Sequence, residues 1–133
     1  MGLRDYLQAI DSGDPAGASD WLAEDLTYHL ALPGGAATGS SKADFEDHTA
    51  ARDPVERAHH IVRCQSDGDT EFAVGTVTER GAFVGSFLSA AVIAQDGRIR
   101  RYESFFTPDF QLHPWHESGQ QDNGDKRNDP LAS

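Results

Sequence analysis

The chain predicts an α+β domain in which three N-terminal helices pack on a strongly curved, mostly antiparallel sheet. Three observations carry that expectation. Residues 59 to 106 alternate apolar, β-branched runs with Asp-Gly turn signals, the spelling of consecutive antiparallel strands. Upstream, apolar residues recur at helical spacing on both sides of one short stretch with period two. The whole amounts to 133 residues with 38% hydrophobic content, enough for one core and too little for two.

In chain order, Leu3, Tyr6, Leu7 and Ile10 form the apolar face of a first helix, and Gly13 ends it. Asp14 is the expected N-cap of a second, short helix with Pro15 at its first position, where a missing N–H costs nothing. Ala18, Trp21 and Leu22 supply its apolar face. Leu26, Tyr28, Leu30 and Leu32 then alternate as a strand with one buried side. Pro33-Gly34-Gly35 breaks it, and a Gly/Ala/Ser loop leads to Ser41. That serine should cap a third helix, with Asp44 completing a weak capping box, and the helix should run through Phe45 and His48 to about Arg52 before Pro54. Long strands follow: His59–Cys64, Glu71–Glu79, Phe83–Ala94 and Arg98–Phe106. Their turns fall at Asp67-Gly68-Asp69 and at Gln95-Asp96-Gly97. Gly75, Gly81 and Gly85 should mark bulges that bend the sheet. Helices closing over a bent sheet leave a conical pocket. Residues 1–112 are expected as a single domain and 113–133 as a mostly disordered, Ser/Gly/Gln/Asp/Asn-rich tail.

The formal net charge of −11 argues against a nucleic-acid partner, which would require clustered Lys and Arg. No apolar run reaches bilayer length, so no membrane span is expected. The start shows no basic segment followed by an apolar one, and the single cysteine, Cys64, has no internal partner. Both fit a cytoplasmic location. No histidine, cysteine or carboxylate pair has metal-ligand spacing, so no metal and no cofactor are expected.

The pattern resembles the NTF2-like, or SnoaL-like, superfamily of cone-shaped α+β domains. The likeness rests on Tyr6 to Asp14, Trp21 to Tyr28, Gly39, His59-His60-Ile61-Val62, Asp96-Gly97-Arg98-Ile99, Tyr102 and Phe105-Phe106, and spans about residues 3 to 108. The resemblance implies a small-molecule ligand and a homodimer through the outer sheet face, with Phe105 or Phe87 supplying apolar area. It does not fix the reaction, because the same cone hosts unrelated chemistries. Tyr6 looks like the helix tyrosine of the family's steroid isomerases, but their two acids fall near Leu30 and near Ala90 or Ala91. Tyr28 and Arg80 match positions of the limonene-type epoxide hydrolases, whose asparagine and two aspartates become Leu30, Ala82 and Ser104. Neither catalytic set is present. In the scytalone-type dehydratases and polyketide-cyclase relatives a histidine opens the strand after the third helix, and an aspartate ends the first helix. His60 and Asp11 look like that pair.

The expected function is therefore a cofactor-independent dehydratase, isomerase or polyketide-cyclase type of enzyme. It would act on a small, largely apolar, oxygenated molecule by histidine-centred acid/base catalysis. His60 is the expected catalytic group, with Asp11 raising its pKa by attraction to the charged form. Alternation sends His59 to the opposite face, so the opposite register would hand the role to His59. Tyr6, Tyr28, Leu30, Val62, Phe83, Ser104 and Phe106 are the expected substrate-binding residues. His29 should point away from the pocket, and His48 belongs either to its mouth or to solvent. The competing expectation is a non-catalytic small-molecule-binding or accessory domain that kept the cone and lost its acids.

Overall fold

The computed structural model describes residues 2–50 and 57–114. The elements are α1 (Gly2–Asp11), α2 (Pro15–Ser19), β1 (Leu22–Leu32), β2 (Gly35–Gly39), α3 (Lys42–Ala50), β3 (Arg57–Asp67), β4 (Thr70–Glu79), β5 (Ala82–Ile93) and β6 (Ile99–Thr107). The six strands form one sheet in the order β2-β1-β6-β5-β4-β3, antiparallel throughout except for the parallel β1–β6 pair. This is the α+β cone expected from the sequence, with the helices on the concave face. The expected end of the third helix, near Arg52 and Pro54, and the tail from Trp115 onward lie outside the described residues.

Each helix start is held by a side chain. The backbone N–H of Leu3 in α1 donates to Glu71 Oε1, 2.8 Å away on β4, which sets a carboxylate at the positive end of the helix. Asp14 accepts from the Gly17 N–H at 3.0 Å, and Ser41 Oγ accepts from the Asp44 N–H at 3.0 Å, the caps that the sequence announces. On the inner face of α1, Leu3, Tyr6 and Leu7 are buried against the sheet. Phe45 of α3 is buried. Its ring sits 4.7 Å from Tyr28, 5.9 Å from Tyr102 and 6.1 Å from Tyr6, so a cage of three tyrosines fixes this helix over the sheet.

Three local expectations change. Trp21 and Leu22 do not belong to α2: the helix ends at Ser19, and Leu22 already pairs with Ile99 as the first residue of β1. The Gly/Ala stretch after Pro33 is a strand, β2, paired with β1 from Leu32↔Gly35 to Tyr28↔Gly39. Its small residues are required, because a Cβ on Gly39 would lie 2.5 Å from the Tyr28 ring. Gly81 marks a tight turn and not a bulge: Arg80 and Gly81 both have positive φ, 54° and 82°, and link Glu79 to Ala82 as a two-residue hairpin of type I′. Gly75 and Gly85 do sit beside bulges, at Val62 on the facing strand and at Val84.

The convex face is partly covered by the chain itself. Ser86 Oγ donates to the Phe110 carbonyl at 2.7 Å and lies 3.4 Å from the Leu112 N–H, so residues 108–112 are tied across β5. His113 continues this segment towards Arg63. Burial first, and that guanidinium second, lower its pKa.

Candidate active site

A cavity of about 450 Å³ opens between α1, α3 and the concave face of the sheet. Its wall has two characters. Leu30, Val84, Phe87 and Phe106 from the sheet, with Ile10 from α1, make an apolar surface. Beside them, β3 and β4 present Arg57, His59 and Glu79. Ser104 contributes a hydroxyl that is already bonded to Ser89 Oγ at 2.8 Å.

Of the adjacent pair His59 and His60, His59 lines the cavity. Asp11, at the last residue of α1, reaches it twice: Oδ2 accepts the His59 backbone N–H at 2.6 Å and Oδ1 lies 2.8 Å from the ring Nδ1. An ionised carboxylate only accepts, so Nδ1 carries the proton, and in the neutral ring Nε2 keeps its lone pair. Phe87 stands edge-on to the imidazole, with centroids 5.0 Å apart and planes at 86°. Among the described residues Nε2 has no hydrogen-bond partner. The local arrangement is that of a positioned base: a carboxylate that fixes tautomer and ring angle, and a free nitrogen at a cavity wall.

His60 takes the other face. Its Nε2 lies 2.9 Å from Thr78 Oγ1, and it does not line the cavity. Burial is the largest influence on it and lowers its pKa; Asp11 acts in the opposite sense and does not prevail. The expectation of His60 as a base of raised pKa paired with Asp11 is corrected accordingly. Asp11 fixes the phase of β3 by binding the backbone of His59, and in a strand that choice sends the next side chain outward.

Of the other expected ligand contacts, Tyr6, Leu30, Ser104 and Phe106 line the cavity. Val62, Phe83 and Tyr28 do not. Val62 is the extra residue of the bulge between Ile61 and Arg63. Phe83 pairs with Thr78 on the convex side, and the bulge one residue later delivers Val84 to the cavity in its place. Tyr28 is buried beneath Gly39 and Phe45, with its hydroxyl pKa raised by burial and then by Asp44 and Asp47. His48 lines the cavity, whereas His29 faces outward, 3.4 Å from Glu103. Phe87 is buried on the concave face and supplies nothing to the outer one.

Arg57 and Glu79 were not singled out from the sequence. They face each other across β3 and β4; Arg57 Nε donates to Glu79 Oε2 at 3.0 Å, and Nη2 bonds the same oxygen. No signal in the linear sequence marks them, because the pairing depends on the bulge at Val62. Among the described residues no group of three or more His, Cys, Asp or Glu is arranged to hold a metal ion, and no helix is long and apolar enough to cross a membrane.

A helix-covered cone with a mixed apolar and acid/base cavity defines the class of small α+β pocket domains. Within it, a family model described as SnoaL-like domain matches residues 3–102, and the chain belongs to that family. Solved structures agree in fold. An NTF2-like protein of unknown function from Burkholderia xenovorans superposes with a TM-score of 0.67 at 17% identity, covering 92% of this chain and 93% of that one. A candidate polyketide cyclase from Sinorhizobium meliloti gives 0.63 at 23% identity, covering 77% and 92%. An LEH-like epoxide hydrolase from M. tuberculosis gives 0.65 at 18% identity, covering 80% of each chain. No curated protein matches the sequence.

Proposed function

We propose that the domain is a cofactor-independent acid/base enzyme of the dehydratase, isomerase or cyclase type, acting on a small, largely apolar, oxygenated molecule. The observation that carries this reading is the Asp11–His59 pair at the wall of the cavity. His59 Nε2 takes a proton from the bound substrate and returns it to the product. Asp11 holds the ring and stabilises the imidazolium formed between those steps. Tyr6, Leu30 and Phe106 shape the apolar side, and Ser104 orients a substrate oxygen.

The test is proton exchange into D2O followed by NMR over a panel of cyclic 1,3-dicarbonyls and polyketide-like phenols. His59→Ala is expected to abolish exchange of any compound that the wild type exchanges, with ligand affinity within a few-fold. If compounds bind and the wild type exchanges none of them, the alternative stands: a small-molecule-binding domain without catalysis.

Two further expectations belong to the same reading. Phe72, Leu88 and Phe105 are 39%, 46% and 46% exposed on the convex face, and Leu88 lies opposite Phe105 across β5 and β6. They support a homodimer through that face, and Leu88→Lys should shift the sedimentation coefficient to that of a monomer. The lone cysteine supports a reducing compartment, the cytoplasm.

A further inference from the structure

The geometry points to Arg57 as the residue that holds a negative oxygen of the ligand. The ligand class would be apolar molecules with an enolisable carbonyl or an acidic phenol. This deepens the proposed function, since it names the substrate chemistry of the same cavity.

Arg57 and His59 are two residues apart on one face of β3, and both line the cavity. A strand advances about 3.3 Å per residue, so the two side chains leave the backbone about 7 Å apart along the wall. A carbonyl and its adjacent C–H fit between them, with the oxygen on Arg57 and the hydrogen on His59. Glu79 holds the guanidinium through Nε and Nη2, both on one oxygen. That leaves Nη1 of Arg57 with no partner among the described residues. The paired carboxylate thus aims the fork without consuming it.

The electron count is simple. Nε2 of His59 takes the α-proton, the C–H pair becomes a C=C bond, and the carbonyl π pair moves onto oxygen beside Arg57. Reprotonation at a different carbon is isomerisation; loss of a β-hydroxyl, which takes the proton back from His59, is dehydration. The surroundings favour a charge that develops after binding over one brought in. The chain carries a net −11, so no long-range attraction draws an anion in, and a negative oxygen gains only from its contact with Arg57 inside the cavity. An enolate forming inside the cavity gains the contact only as it forms, which is where stabilisation accelerates a reaction.

The probe is 4-nitrophenol, whose phenol and phenolate forms differ in visible spectrum, bound to the full-length protein across a pH series. The wild type is expected to bind the phenolate more tightly than the phenol. In Arg57→Gln that preference should fall by about tenfold or more, the usual size of a charge-assisted hydrogen bond, with phenol affinity nearly unchanged. Glu79→Gln should move the preference the other way, because it removes a competing negative charge; a poorly folded variant would not tighten phenolate binding. The proposal is overturned if Arg57→Gln keeps the phenolate preference, or if the wild type shows none or binds neither form. Proton exchange tests the base separately: Arg57 is wrong and His59 right if exchange needs His59 while phenolate preference ignores Arg57.

Discussion

Replacing Asp11 by asparagine separates what the carboxylate does for the fold from what it does for the base. In the wild type Oδ2 receives the His59 backbone N–H at 2.6 Å and Oδ1 lies 2.8 Å from Nδ1. In the Asp11→Asn variant the amide oxygen must take the backbone N–H, since only it accepts. The amide nitrogen then faces Nδ1 and donates to it, which forces the proton of the imidazole onto Nε2. Both bonds survive as neutral ones, so the stability loss should be about 1 kcal/mol. The free lone pair, however, is gone, and with it a base contribution of about 100- to 10,000-fold. Asp11→Ala removes both bonds. Two charge-assisted contacts at a partly exposed site place the cost at about 2–3 kcal/mol, or a melting temperature lower by roughly 10 °C in a domain this size. Urea unfolding gives the energies, and long-range 15N–1H correlation of the imidazole gives the tautomer. If Asp11→Asn leaves Nε2 unprotonated, or if the asparagine and alanine variants lose equal stability, the account of the pair is wrong.

Other substitutions test the sheet. A Cβ on Gly75 would lie 2.0 Å from the His60 carbonyl oxygen, so Gly75→Ala should cost about 3 kcal/mol in chemical denaturation. Arg80 holds a φ of 54° in the β4–β5 turn, and Arg80→Asn, the residue that this turn type prefers, should stabilise by about 0.5–1 kcal/mol. The pH dependence follows from His60. Its pKa is lowered in the folded state, so folding favours the neutral ring. That contribution is full above the unfolded-state value near 6.5 and is lost as pH falls through the lower folded value. His60→Gln should flatten the acid side of the stability profile, and an unchanged slope would remove His60 as a cause.

The fold was legible because its signals repeat. Alternation in β1, the Asp-Gly turns and the face of α1 each point to the same layout, so a local error at Trp21 or in β2 leaves the cone intact. The site was less legible because it depends on single-residue offsets. Asp11 and the His59-His60 pair stand out in the sequence, but alternation cannot choose between Ala58, His60 and Val62 on one face and His59 and Ile61 on the other. Counting back from the Gly68–Asp69 turn would set Arg57 opposite Arg80. The bulge at Val62 shifts that partner to Glu79 and assembles the ion pair. A bulge of the same kind at Val84 removes Phe83 from the cavity. Gly75 and Gly85 mark the neighbourhood of each bulge but not the extra residue, Val62 on the facing strand and Val84, and the side taken by His60 and Phe83 turns on that residue.

The contacts that hold α1 also set when the site can exist. Its first turn is bonded to Glu71 and its last residue to His59, partners 68 and 48 positions later in the chain. During synthesis, the helix therefore leaves the ribosome well before either anchor. Contacts of such range carry a high loop-closure cost and form late in folding. The acid/base pair is thus among the last features to assemble, and a nascent chain stopped before β3 would hold Asp11 with nothing to orient.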